Sequence, residues 1–265
     1  MSLTLFKHTL KRNWILLVIF FGVLTMYMTT MMSMYNPEDM AGLVGMIEAF
    51  PETLRAAMGF DALVTELTGY LASWLYGMLM IGFPMVYSII LGNRLVAKMV
   101  DNGSFAYLLS TPVPRVKIIV TQGVYALVSL LVLFAALFTV GVLSAEAMFP
   151  GELDINAFFR LNVTTMLVNM VVMMITFFFS CLFNETRLSL GFGSGIPIMF
   201  LLLNMLGGSA PDLKILSDIS IFGFYDPVNL VAGNSVLGAN LVYVGIIAVL
   251  FASAILIFNK KRLPL

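Results

Sequence analysis

Methionine and asparagine supply most of the side chains capable of chemistry within the apolar part of this sequence. The chain has 20 methionines among 265 residues, and two groups of them are closely spaced. One group is Met26, Met28, Met31, Met32 and Met34, and the other is Met166, Met170, Met173 and Met174. Thioethers ligate Cu(I), and they also form soft surfaces that adapt to varied apolar ligands. Copper binding, substrate contact and ordinary packing are therefore all open for these groups.

Three asparagines, Asn162, Asn169 and Asn204, lie within apolar runs. A buried amide needs hydrogen-bond partners, so we expect each of them to bond to a neighbouring helix. Binding of a substrate is the alternative role. The candidate lining of a substrate path is Met28, Met31, Asn162, Asn169, Met173 and Asn204.

Signals typical of enzymes and ion-coupled transporters are missing. The one histidine, His8, lies in a basic N-terminal segment, and the lone Cys181 excludes an internal disulfide. No ionisable residue lies in the middle of an apolar run, which argues against a proton-driven transporter. The sequence has no phosphate-binding loop of the form G-x-x-x-x-G-K-[ST]. Energy from ATP must therefore come from a partner chain that binds ATP and Mg²⁺, and we expect no cofactor in this chain.

Long apolar runs must position these residues. The chain is 60% hydrophobic and 11% charged, whereas soluble domains have about 25% charged residues. Six runs reach the roughly 20 residues that a membrane span needs. They cover approximately residues 14–34, 69–91, 118–143, 159–183, 188–206 and 237–258. The sequence predicts an all-α integral membrane protein with one transmembrane domain over residues 1–265 and a tight hairpin at residues 184–187.

Positive charge sets the expected orientation. Of the 14 Lys and Arg residues, only Arg55, Arg160 and Lys214 fall in the outer segments when the N-terminus is placed inside. Both termini are therefore predicted to be cytoplasmic. Residues 2–13 are basic and amphipathic, which predicts an interfacial helix on the cytoplasmic leaflet. A simple basic flank of the first span is the alternative.

Residues 94–117, the loop segment, connect the second and third spans. Asp101-Asn102-Gly103-Ser104 interrupts one helix and offers caps for the next, and residues 111–114 end it with two prolines. The sequence predicts a short amphipathic helix across the membrane face. Its apolar residues, Phe105, Leu108 and Leu109, need a partner, which we predict to be another protein.

The two longer outer segments are also partly apolar. Residues 35–68 predict short helices on the outer leaflet or capping the bundle. Residues 207–236 are either a re-entrant excursion or a surface loop packed on the bundle.

The loop segment carries a pattern seen in a known family. An acid, a Gly-Thr pair, an apolar pair and Pro-Val-x-Arg appear here as Asp101, Gly103-Ser104, Leu108-Leu109 and Pro112-Val113-Pro114-Arg115. With the span order and loop lengths, this pattern resembles the ABC-2 type permeases, the membrane subunits of ATP-driven exporters. Ser104 replaces the usual threonine, and Lys98 and Asp101 stand where the family often has glutamates.

The resemblance implies a dimer of six-span subunits, here a homodimer, with two ATPase subunits below it in a bacterial or archaeal plasma membrane. It makes the loop-segment helix a coupling helix and favours the re-entrant interpretation of residues 207–236. The implied ATPase-coupling residues are Asp101, Gly103, Ser104, Phe105, Tyr107, Leu108, Leu109 and Arg115.

The predicted function is the permease subunit of an exporter, which is not itself an enzyme. Because no fixed charges line the spans, we expect a hydrophobic or amphipathic cargo. Amphipathic peptides, such as antimicrobial peptides or phenol-soluble modulins, are our first choice. Membrane lipid is an expected partner and nucleic acid is not. The alternative function is an ATP-independent secondary transporter or channel.

Overall fold

A computed structural model describes residues 1–36, 66–110, 113–209, 213–232 and 236–261. The described residues form helices and connecting turns, and six helical segments are long and apolar enough to cross a membrane. The elements are α1 (Leu3–Ser33), α2 (Leu67–Tyr70), a π-helix (Leu71–Leu79), α3 (Met80–Leu95), α4 (Ala97–Asp101), α5 (Phe105–Leu109), α6 (Arg115–Met148), α7 (Ile155–Leu182), α8 (Thr186–Ser209), α9 (Lys214–Ile219), α10 (Pro227–Val231) and α11 (Leu237–Lys260).

The six predicted spans are confirmed, but the helices run beyond the apolar runs. The 34 residues of α6 make a helix about 51 Å long at 1.5 Å per residue, whereas the hydrocarbon core is about 30 Å thick. Apolar runs mark where a helix meets lipid, and helices continue into the polar residues that flank them. The predicted hairpin is confirmed, since α7 ends at Leu182 and α8 begins at Thr186.

The N-terminal segment differs from its prediction. Residues 2–13 do not form a separate interfacial helix, because α1 runs without a break from Leu3 to Ser33. One side of this first part of α1 packs on α6, while Lys7, Lys11 and Arg12 are exposed. Ser2 N donates to Thr121 Oγ1 at 2.8 Å, and Thr9 Oγ1 donates to Gln122 Oε1 at 3.2 Å. These bonds hold the basic flank of the first span against α6.

Helix α7 is the centre of the bundle. Of its most apolar 18-residue window 72% is buried, against 17% for the corresponding windows of α1, α8 and α11. It packs against α3, α6, α8 and α11. Its start is fixed by Asp154, whose Oδ1 accepts from the N–H groups of Asn156 and Ala157. The outer faces of α1, α8 and α11 are left for lipid or for another chain.

The structure describes only one of the two outer segments for which the sequence made predictions in any detail. The helices predicted for residues 35–68 fall mainly on residues 37–65, which lie outside the described residues. Residues 213–232 form α9 and α10, and they pack on the outer half of the bundle through α8, α7 and the π-helix. That packing is compatible with both interpretations of residues 207–236, so the re-entrant excursion stays a prediction.

Candidate functional site

The second span ends in a break that a side chain of α7 bridges. At Val96 the backbone leaves the helical region, with φ −133° and ψ −67°. The Ser180 hydroxyl accepts from Ala97 N at 2.7 Å and donates to Asn93 O at 3.5 Å. Ala97 N and Asn93 O would bond to each other in an unbroken helix, so Ser180 is inserted into the ladder. This insertion ties the start of the loop segment to the central helix.

A second break lies where the sequence predicts one. Gly103 has φ +73°, a left-handed conformation that glycine adopts without steric cost. Ser104 is the residue before α5, but its side chain accepts no hydrogen bond from the N–H groups of that helix. Instead, Asn102 Oδ1 accepts from Ser104 N at 3.0 Å and from Ser104 Oγ at 2.6 Å. The asparagine therefore stabilises the turn between α4 and α5.

Helix α5 presents a different face from the one its apolar pattern suggests. Phe105 is fully buried, and its ring lies 5.2 Å from that of Phe258 on α11. Leu108 is partly buried against the core, and Tyr107 is 80% exposed. Phe105 thus anchors α5, and Tyr107 is the large side chain offered at the surface. Leu109 ends the helix, and Asp101 is exposed at the end of α4.

Arg115 and Lys261 join three helix ends. Arg115 begins α6 and donates from Nη1 to Lys261 O at 3.1 Å. Lys261 Nζ in turn donates to Cys181 O at 2.9 Å and to Phe183 O at 2.7 Å. Burial lowers the pKa of Lys261 to about 8, and the neighbouring Cys181 partly opposes that shift. Its two bonds satisfy carbonyls that the end of α7 leaves without helical donors.

A buried polar network surrounds the π-helix. Asn162 Nδ2 donates to the Tyr76 hydroxyl at 2.9 Å, and the Tyr225 hydroxyl donates to Tyr76 O at 3.0 Å. Tyr225 also lies 2.8 Å from Thr165 Oγ1. At the end of the π-helix the backbone hydrogen bonds change from N–H(i)···O(i−5) to N–H(i)···O(i−4), and this change leaves one carbonyl without a backbone donor. Tyr76 O, near this point, accepts from the Tyr225 hydroxyl. Tyr225 comes from the outer segment before α10, so the network fixes that segment to the bundle.

Asn169 serves a carbonyl that proline leaves without a donor. Pro84 lies within α3 and has no N–H for the carbonyl of Met80, four residues earlier. Asn169 Nδ2 donates to that carbonyl at 3.1 Å and to Thr165 O at 2.9 Å. The expectation that Asn162 and Asn169 bond to a neighbouring helix is confirmed.

The candidate path residues do not gather at one place. Asn162 and Asn169 share the polar network, and Met173 is buried farther along α7. Met28 is buried on α1 beside Gly141, and Met31 is partly buried there. Asn204 on α8 accepts from Ser217 Oγ of α9 at 2.7 Å, which confirms its expected bond to another helix. Their role as a substrate path stays a prediction.

Sequence reasoning missed Ser180, Lys261, Tyr76 and Tyr225. The sequence did contain a signal for the bond between Asn169 and the Met80 carbonyl. A proline inside an apolar helix leaves a carbonyl that needs a hydrogen-bond donor from another helix. Pro84 together with the intramembrane asparagines predicts a bond of this kind, although not which asparagine makes it. Ser180 and Tyr225 have no comparable signal, because their partners are backbone groups exposed by tertiary structure.

Comparison with known proteins adds one finding to this geometry. The family model described as ABC-2 family transporter protein matches residues 6–263. A comparison with curated protein sequences finds no match. The match extends over all six helical segments and includes the loop segment with both of its breaks. The chain therefore belongs to the ABC-2 family of transporter proteins and is a multi-pass membrane permease subunit of an ABC transporter.

Proposed function

We propose that this chain forms the translocation path of an ATP-driven exporter and that α5 is its coupling helix. Membership of the family implies association with ABC ATPase subunits. The observation that carries the assignment to α5 is its two-sided arrangement. Phe105 is buried on α11, while Tyr107 is 80% exposed on the other side. A short helix that is buried on one side and exposed on the other can contact a partner protein and transmit its movement to the bundle.

Three contacts connect the loop segment to the bundle, and a movement of α5 would be transmitted through them. Ser180 links the start of α4 to α7, and Phe105 links α5 to α11. Arg115 links the start of α6 to Lys261, which binds the end of α7. Movement of α5 is therefore expected to reach α6, α7 and α11 together. Gly103 and Val96 supply the backbone breaks at which α4 and α5 can pivot.

The subunit works as a homodimer with two ATPase subunits in a bacterial or archaeal plasma membrane. The mostly exposed outer faces of α1, α8 and α11 support a second copy as a neighbour, with lipid around the pair. The cargo is a hydrophobic or amphipathic molecule, with amphipathic peptides as the first choice. This choice is supported by the absence of ionisable side chains in the middle of the apolar runs.

Replacement of Tyr107 by alanine tests the assignment of α5. A tyrosine at the centre of an interface contributes about 2 kcal/mol or more, so association with the ATPase should weaken about 30-fold. The tagged chain is purified from its native membranes in mild detergent, and the retained ATPase is measured by mass spectrometry and ATP hydrolysis. Met148→Ala is the matched control, because Met148 is 45% exposed at the opposite end of α6.

Equal ATPase retention by Tyr107→Ala and Met148→Ala would show that α5 is not the docking helix. Transport of cargo by the chain alone, reconstituted in liposomes without any ATPase, would instead support the secondary transporter. Single-subunit counting by fluorescence bleaching tests the dimer, and two bleaching steps per complex are expected.

A further inference from the structure

A cavity of about 200 Å³ opens at the end of the bundle that carries the loop segment. It lies between the first turns of α1, the end of α3, the α5 region and the start of α6. Three basic side chains line it, His8, Arg12 and Arg94. Its lining also includes Tyr107, whose hydroxyl is a hydrogen-bond donor, and Ser104, whose hydroxyl donates to Asn102 Oδ1. We call this cavity the basic pocket.

The charge of the basic pocket has no internal counterpart. Among the described residues that line it there is no carboxylate, and none of its three basic side chains has an ion-pair partner within the described part of the chain. Arg12 and Arg94 are permanent cations. Arg94 also borders a neighbouring cavity that Lys98 and Asp101 line. Within the basic pocket itself positive charge is in excess, and this excess favours a negative group from outside the chain.

A layer of buried polar side chains keeps the wall of the pocket in place. Thr9, Asn13 and Gln122 line it and are 4%, 5% and 2% exposed. Thr9 Oγ1 donates to Gln122 Oε1 at 3.2 Å, and Asn13 Nδ2 donates to Thr9 O at 3.0 Å. The first bond holds the turn of α1 that carries Arg12 against α6, and the second lies within α1. The wall between α1 and α6 is therefore fixed, and the exposed side chains of His8, Arg12 and Arg94 surround it.

The level of the pocket relative to the membrane surface indicates which kind of anion it binds. Directly after Arg12 and Asn13, α1 becomes apolar, and Trp14 and Ile15 are 50% and 57% exposed. Tryptophan is enriched at the level of lipid headgroups. Arg12 therefore lies at the boundary between water and hydrocarbon, where the phosphates of a leaflet are found. A soluble anion would have to reach the same level from the aqueous side.

We propose that the basic pocket binds the phosphate of an anionic phospholipid and uses it to join Arg12 of α1 to Arg94 of α3. The planar guanidinium pairs with phosphate oxygens through two parallel hydrogen bonds, which favours arginine at both positions. The hydroxyl of Tyr107, which also lines the pocket, brings α5 to the same phosphate. The lipid thus stabilises the position of α5 on the bundle. This inference does not depend on the partner proposed for α5.

Lipid binding to the full-length protein tests the proposal. The protein is purified in a neutral detergent, and retention of phosphatidylglycerol and phosphatidylcholine is compared by native mass spectrometry. Arg12→Gln/Arg94→Gln should weaken retention of phosphatidylglycerol about tenfold or more, since charge-assisted bonds are lost. Lys7→Gln/Lys11→Gln is the matched control, because it removes the same charge from exposed residues of α1 that do not line the pocket. The control should retain phosphatidylglycerol as the unmodified chain does.

A second measurement uses the unmodified protein and so does not depend on folding of the variants. Arginine labelling by phenylglyoxal is followed by peptide mass spectrometry. Phosphatidylglycerol should protect Arg12 and Arg94, whereas exposed Arg187 should react equally with and without it. Equal protection by phosphatidylcholine, or equal lipid retention by the two double variants, would overturn the proposal. Protection by inorganic phosphate but not by phosphatidylglycerol would assign the pocket to a soluble phosphate and overturn the lipid source.

Discussion

The Ser180 hydroxyl lies 2.7 Å from Ala97 N and completes a helical ladder that the break at Val96 interrupts. The second span therefore changes direction while Ala97 N keeps a hydrogen-bond acceptor. The bond also makes the position of α4 depend on α7, the most buried helix of the bundle. A change at Ser180 should consequently affect both stability and the loop segment.

Ser180→Ala should lower the free energy of unfolding by about 1–3 kcal/mol, because Ala97 N loses its acceptor in a buried place. Thermal unfolding in detergent, followed by fluorescence or by aggregation, measures the loss. Ser194→Ala is the control, since Ser194 Oγ donates to Leu190 O within its own helix. Equal melting temperatures for the two variants would show that the Ser180 bond contributes nothing particular.

Asn169→Leu should also destabilise the protein, by about 1–3 kcal/mol, because the Met80 carbonyl then lacks a donor. Pro84→Ala should partly suppress that loss, since an alanine at this position would supply the N–H that proline withholds. A double-mutant cycle on unfolding free energies measures the coupling between the two positions. Additive effects would contradict the pairing of Asn169 with the carbonyl freed by Pro84. Pro84→Ala should not restore the full free energy of unfolding, because Asn169→Leu also removes the bond to Thr165 O.

Lys261 should give the protein a stability gain at alkaline pH. Burial places its folded pKa at about 8, below the ordinary value of 10.5. The unfolded chain binds more protons between these two values, so the contribution of Lys261 to stability rises with pH through this window. Below pH 8 both states are protonated and the cost of burying the charge is fully present. Melting temperatures measured from pH 7 to 10.5 follow the effect.

The matched comparison uses two neighbouring lysines. Lys261→Met should lose the gain above pH 8, whereas Lys260→Met should keep it because Lys260 is exposed. Parallel curves for the unmodified chain and Lys261→Met would contradict the lowered pKa. At neutral pH Lys261→Met also removes the donors to Cys181 O and Phe183 O, so only the slope with pH is decisive.

The spans and their hairpin could be predicted because each depends on composition over many residues. The break at Gly103 could be predicted because a left-handed residue has a local signature. The face of α5 could not, since five residues of mixed polarity do not show which side meets Phe258. The continuity of α1 was also missed, because a basic amphipathic segment can lie on lipid or on α6. In this protein the hydrogen bond between Thr9 and Gln122 holds the segment on α6.

The polar network was predictable only in part. Intramembrane Asn162 and Asn169 required partners, and the structure supplies them on the second span. The π-helix has no sequence signature, because its widened turn is stabilised by side chains from other elements. Tyr225 belongs to that support, although it is distant in sequence from Tyr76. Long-range pairs of this kind arise from packing.

Tyr225→Phe should loosen the outer segment while leaving the bundle folded. The variant keeps the ring but loses the hydroxyl that donates to Tyr76 O and lies near Thr165 Oγ1. Hydrogen exchange measured by mass spectrometry should become faster in the π-helix, whose Tyr76 O loses a donor, and in α10, which follows Tyr225 directly and packs on the π-helix. Tyr107→Phe is the control, because the exposed Tyr107 makes no comparable buried contact. Unchanged exchange in both elements would mean that the ring of Tyr225, and not its hydroxyl, holds the outer segment on the bundle.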